Sequence, residues 1–183
     1  MKFIVNRGGY KAENVVTTQA NEDNGEYAHP YSGDLTLDGV RVAEFSDDGK
    51  GSEMDIDFLV EGAKTDLLNF TKTNLEEDFQ DYPERIAMFI GRICFEDAIV
   101  DLIVKDIDKK TYLMTYSEEL ENVKEEDDGE IRTFDHSYND KVKAHLEKIM
   151  PENNYIILNE IFSDLIESKI LQSTKSTPSN PQK

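Results

Sequence analysis

A β-hairpin is written plainly into residues 33–45, GDLTLDGVRVAEF. Leu35 and Leu37 alternate with polar neighbours, Asp38-Gly39 supplies the positive-φ pair that a two-residue hairpin turn needs, and Val40, Val42 and the Ala43–Phe45 segment resume the alternation. The loop SDDGKGS at 46–52 sets two glycines among charged residues. After it EMDIDFLV alternates again, with Met54, Ile56 and Phe58 on one face, which predicts a third strand. The other face of that strand is Glu53, Asp55 and Asp57, so one surface of this sheet is acidic.

Helical spacing follows. In KTDLLNFTKTNLEEDF, residues 64–79, Leu67, Leu68, Phe70, Leu75 and Phe79 form a loose stripe that Thr71 and Thr73 weaken. Pro83 stands where a first-turn proline belongs, ahead of Ile86, Phe89, Ile90 and Ile93 and then Ile99, Leu102 and Ile103. Glu96 and Asp97 interrupt this stripe near Gly91 and predict a kink or a break into two helices. TYLMTY at 111–116 and ENNYIIL at 152–158 are aromatic and β-branched enough for strands, and NDKVKAHLEKIM at 139–150 carries Val142, Leu146, Ile149 and Met150 on one helical face. The expected fold is α+β: a small antiparallel sheet from the N-terminal half packed by two to four helices, drawn from residues 62–108 and 139–150. A chain of 183 residues suits a single domain over 1–171, and 172–183, rich in Ser, Thr and Pro, reads as a disordered tail.

Thirty-nine acids against twenty bases give a net charge of −19, while 38% hydrophobic residues suffice for a core. Each end of the chain, 1–20 and 172–183, carries +2, which leaves −23 for residues 21–171. The acidity therefore belongs to the folded body and not to a tail. It repels nucleic acid and anionic membrane and favours a basic protein surface. Nineteen charges match roughly 32 Å of duplex DNA, on a globule about 40 Å across. Three acidic clusters hold few bases: Asp47, Asp48, Glu53, Asp55 and Asp57; then Glu76, Glu77, Asp78, Asp81 and Glu84; then EELENVKEEDDGE at 118–130, with Glu125, Glu126, Asp127 and Asp128 at its centre.

Catalytic signatures are incomplete. The one cysteine, Cys94, sits in an apolar stretch that predicts a buried thiol, unsuited to a Cys–His pair, and its solitude fits a reducing, cytosolic setting. His29, His136 and His145 lack the spacing and the second cysteine of a zinc site. SDDGKGS precedes a strand, whereas phosphate-binding loops lead into a helix, and its acids lack the calcium-loop spacing. Among so many carboxylates a chance pair is assured, and Trp, the usual sugar-stacking residue, is absent. MKFIVNRGGY is far too short an apolar run for a signal peptide or a membrane span.

The hairpin GDLTLDGVRVAEFSDDGKGS and the helix–strand YNDKVKAHLEKIMPENNYIILNE resemble small acidic proteins encoded by phages and other mobile elements. That resemblance implies the class of host-defence inhibitors that includes anti-CRISPR and anti-restriction proteins, which imitate nucleic acid. The expected activity is non-enzymatic: a DNA mimic that presents the three acidic clusters to the basic groove of a host nucleic-acid-binding protein, in the cytoplasm, with no cofactor, no metal, no direct nucleic acid and no membrane. Association with a second copy as a homodimer is a further partner option. The alternative is a small regulatory or assembly protein that binds through an apolar surface, its charge serving solubility.

Overall fold

The computed structural model describes residues 3–4, 6–17, 30–49, 53–75, 85–115, 130–150 and 155–175. Seven strands and five helices lie among the described residues, in the α+β class that the sequence predicts. They gather into two compact units, residues 6–97 and residues 1–5 with 98–183.

In the first unit, strands β1 (Tyr10–Thr17), β2 (Tyr31–Leu37), β3 (Val40–Asp47) and β4 (Asp55–Phe58) form an antiparallel sheet in chain order. Asp38 (φ 50°) and Gly39 (φ 81°) make the expected two-residue turn. A second turn of the same kind leads into β1: Gly8 and Gly9 have φ of 57° and 85°, and the Tyr10 N–H donates to the Arg7 carbonyl at 3.0 Å. One face of the sheet buries Leu35, Ala43 and Phe45. Gly33 lies in the same face because there is no room for more: a Cβ there would stand 2.8 Å from the Phe45 ring and 3.0 Å from the Glu13 carbonyl.

Helices α1 (Ala63–Asn74) and α2 (Arg85–Lys105) supply the apolar partner, α2 through its stretch up to Asp97. Tyr10, Phe70 and Phe89, one from each of β1, α1 and α2, form an aromatic triangle with centroids 5.3, 5.8 and 5.7 Å apart. Ile86, Phe89, Ile90 and Ile93 are buried, as their spacing predicts. The predicted break into two helices is not found, since α2 runs as one helix through Gly91, Glu96 and Asp97. Gly91 instead admits the Tyr31 hydroxyl, which would lie 3.1 Å from a Cβ at that position. Glu96, fully buried, takes a charged hydrogen bond from Arg7 Nη2 at 2.9 Å, and Asp97 takes one from Nη1 at 2.6 Å. The acids that break the sequence pattern are met by a cation 89 and 90 residues away, so the helix can continue through them.

The second unit holds a three-stranded antiparallel sheet, ordered β6 (Glu130–Phe134), β5 (Thr111–Thr115), β7 (Tyr155–Ile157). β5 is buried on both faces. Tyr112 and Met114 pack with Ile99, Ile103, Phe162 and Ile166, while Leu113 packs with Val142 and Leu146 of helix α3 (Asp140–Ile149). Asn139 caps α3, its Oδ1 accepting from the N–H groups of Lys141 and Val142. β7 stops where helix α4 (Leu158–Ile161) begins, and the buried Asn159 side chain continues its work by accepting the Tyr112 N–H at 2.7 Å. Helix α5 (Ser163–Lys175) follows, with Leu165, Ile166 and Ile170, and Phe162 just ahead of it, packed in the core of this unit. Residues 172–175 are thus helical and not part of a tail, because the stripe draws the helix on; the remainder of that stretch lies outside the described residues. No helix among the described residues is long and apolar enough to cross a membrane.

The Arg7 pairing yields a stability prediction. Arg7→Ala removes the guanidinium that meets the buried Glu96 carboxylate at 2.9 Å and is expected to cost about 3–5 kcal/mol in urea unfolding. The double variant Arg7→Met, Glu96→Leu, which removes both charges at similar volume, should recover most of that loss. Equal destabilisation of the two variants would show that packing and not charge governs the site.

Candidate functional site

Because successive side chains of a strand alternate between faces, the strand register decides which acids share a surface. Glu13 pairs with Asp34, Asp34 with Glu44 and Glu44 with Asp57, so one row crosses the first sheet with an acid from every strand. The next row along is Val16, Ser32, Ser46 and Asp55. At strand spacings of ~4.8 Å the acidic row spans ~14 Å, and Asp55 lies ~6.7 Å along β4 from Asp57. A concavity of about 400 Å³ opens on this face, lined by Asn14, Ser32, Gly33, Asp34, Glu44, Phe45, Ser46, Asp55 and Asp57.

Two neighbours fix the middle of the row. Asn14 Nδ2 donates to Asp34 Oδ2 at 2.7 Å, and Arg41 Nε donates to Asp34 Oδ1 at 2.7 Å. Asn14 reaches Asp34 because β1 bulges there: the register skips Asn14 and Val15, and Asn14 takes a left-handed φ of 53°. Arg41 also pairs with Glu44 Oε1 at 2.9 Å. The bonds from Asn14 and then Arg41 hold the Asp34 carboxyl below its ordinary 3.8, against a smaller opposing effect of desolvation. Asp55 and Asp57 are exposed, and among the described residues no base pairs with either. Nor, among those residues, do three carboxylates, imidazoles or thiols converge closely enough to hold a metal ion. The charges are spread in a row, a layout suited to several cations on one partner.

The structure treats the predicted acids unequally. Asp55 and Asp57 lie on this face, and Glu53, exposed just ahead of β4, is in phase with them. Asp47 does not share it: it pairs with Tyr31, on the same side of the sheet as Phe45, and its Oδ1 accepts the Gly49 N–H at 2.7 Å. The Tyr31 hydroxyl is pushed up to about 12 by burial, then by Asp47 and Cys94. Asp48 is exposed beyond the end of β3. Glu76, Glu77, Asp78, Asp81 and Glu84, and likewise Glu125, Glu126, Asp127 and Asp128, lie outside the described residues. The sequence reading missed Glu13, Asp34 and Glu44, which complete the row.

Other chemistry is poorly served. Burial first, then Asp97, pushes the Cys94 thiol up to about 12, with Arg7 opposing, so the thiol stays neutral at ordinary pH. His136 and His145 belong to the second unit, where they flank Phe134 at 5.1 and 5.7 Å. Glu160, bonded by Lys143 Nζ at 2.7 Å and by the Tyr138 hydroxyl, is held below its ordinary range. Tyr138 and Lys143 are partly exposed and Glu160 is exposed. No family model, curated protein or solved structure matches the chain.

The Asp34 geometry is open to direct titration. Asn14→Gly, which keeps the left-handed backbone but removes the amide, and Arg41→Met should each raise the Asp34 midpoint toward 3.8, read from its side-chain NMR signals. Since the folded value is depressed, ionised Asp34 stabilises the protein above about pH 3.9, and that stability is lost as pH falls through the folded value. Both variants should flatten this acid limb. An unmoved midpoint in both would mean that neither side chain holds the carboxylate in solution.

Proposed function

We propose that this protein is a non-enzymatic inhibitor that presents the acidic row of its four-stranded sheet to the basic groove of a nucleic-acid-binding protein and competes with DNA or RNA for it. The observation that carries this reading is the cross-strand row Glu13, Asp34, Glu44 and Asp57, with Asp55 beside it, on the face opposite a packed core. Lys and Arg are the chief recognisers of backbone phosphates, and they accept a carboxylate in the same charge-assisted way. The sheet itself illustrates this, since Arg41 already bridges Asp34 and Glu44. Asp55 and Asp57 offer the same chemistry to a partner. A host-defence nucleoprotein, of the kind met by anti-CRISPR and anti-restriction proteins, is the partner class that the resemblance to phage and mobile-element proteins implies. A DNA mimic of this type needs no cofactor and acts where its target is, in the host cytoplasm.

A second reading has its own observation. Val40, Leu59 and Val60 expose 60, 45 and 42% of their surface, and β3–β4 pairing with the Leu59 N–H bonded to the Val42 carbonyl groups them at one end of the same sheet. A regulatory or assembly partner would bind such an apolar patch and tolerate salt.

The two readings separate by salt and by substitution. Capture of the partner from host lysate should fall steeply as ionic strength rises from about 0.1 to 1 M, and added duplex DNA should displace it. Asp55→Lys with Asp57→Lys should weaken capture at least about tenfold, and Val40→Ser with Leu59→Ser should leave it unchanged. The reverse pattern, with capture surviving high salt and failing in the serine variant, would replace mimicry by the apolar interface.

A further inference from the structure

The two edges of the four-stranded sheet are guarded differently. β4 presents Asp55-Ile56-Asp57-Phe58; a second β4 laid antiparallel about Ile56 would set Asp55 against Asp57 of the other copy, like charge against like, twice over. β1 carries no such guard. Among the described residues it pairs only with β2, and Asn14–Thr17 are exposed, Val16 by 62%. Its regular run, Tyr10–Glu13, is self-complementary: laid antiparallel about Ala12, it sets Lys11 opposite Glu13 of the second copy and Glu13 opposite Lys11. On a chain of net charge −19 most surfaces repel a second copy, yet this strand, with one base and one acid, is neutral.

We propose that the β1 edges of two copies pair in this register to form a homodimer with one continuous eight-stranded sheet. The bulge at Asn14 and Val15 ends the regular run and keeps the new ladder short, so the dimer is weak, with a Kd on the order of tens to hundreds of micromolar. In an antiparallel pair directly opposed residues share a face, so the acidic rows of the two copies lie on one surface, joined through Glu13. The proposal rests on strand register and charge pattern, independently of what the acidic face binds.

The test is sedimentation equilibrium on the full chain, from about 10 μM to 1 mM, at an ionic strength of about 0.15 M that screens long-range repulsion. A monomer–dimer equilibrium is expected. Lys11→Glu and Glu13→Lys, both at exposed positions, should each weaken it about tenfold by setting like charges opposite in two symmetric places. The double swap Lys11→Glu, Glu13→Lys restores opposite charges across the axis and should recover dimerisation, with circular dichroism confirming that all three variants are folded. A monomer at every concentration would overturn the proposal. So would a dimer indifferent to the single reversals, or a double swap that stays as weak as they are.

Discussion

One extra residue in β3 governs what both faces of the first sheet carry. The turn at Asp38 and Gly39 pairs Leu37 with Val40 and Thr36 with Arg41; continued without interruption, it would set Leu35 against Val42 and Asp34 against Ala43. The register shifts there instead, leaving Val42 unpaired and matching Leu35 with Ala43, Asp34 with Glu44 and Gly33 with Phe45. Since side chains alternate with period two, that single slip sends Phe45 into the core and Glu44 out to join Asp34. The unshifted register would expose a ring whose burial contributes about 1.5–3 kcal/mol and would bury a carboxylate at a cost of several kcal/mol. The bulge is therefore strongly specified, and the acidic row is its consequence on the other side.

A row of like charges is tolerated because the terms opposing it are larger. Neighbouring carboxylates about 5 Å apart in water repel by about 0.8 kcal/mol, and salt reduces this further. Each fully buried side chain beneath, Leu35, Leu67 and Phe89 among them, contributes about twice that or more. Arg41 also takes up part of the repulsion between Asp34 and Glu44, and Asn14 satisfies a further Asp34 oxygen. The buried Arg7–Glu96 pair solves a different problem in the same unit. It lets a helix carry two acids through an apolar stripe without breaking, and it ties the segment before β1 to α2.

Much of the architecture was legible because its signals are local. The Asp38-Gly39 hairpin, the strands at Asp55–Phe58 and Thr111–Thr115, and the capped helix after Asn139 each follow from a few adjacent residues. What escaped depended on long-range contacts or on irregularity. β1 hides its alternation behind the bulge at Asn14, and the continuity of α2 depends on an arginine far away in the sequence. Helix α5 carries a stripe in Leu165, Ile166 and Ile170, with Phe162 ahead of it, whose signal is diluted by the Ser- and Thr-rich end. The candidate site was half legible. Alternation places Asp55 and Asp57 on one face, but only the β3 bulge reveals that Asp34 and Glu44 join them and that Asp47 does not.

The distinction between a site and mere acidity lies in how far charge acts. At physiological ionic strength the Debye length is about 8 Å, so most of a net charge of −19 is screened from any one point of contact. Scattered surface charges can steer an approaching molecule of opposite charge, but they do not set its register. A row fixed across four strands does, because its carboxylates are positioned by the ladder and lose little freedom on binding. The exposed run beside Asp57 and Asp55 is the end of that row where no base of the described protein competes. Under the proposed mimicry, specificity would come from the geometry of the sheet, with the bulk charge acting on the rate of encounter.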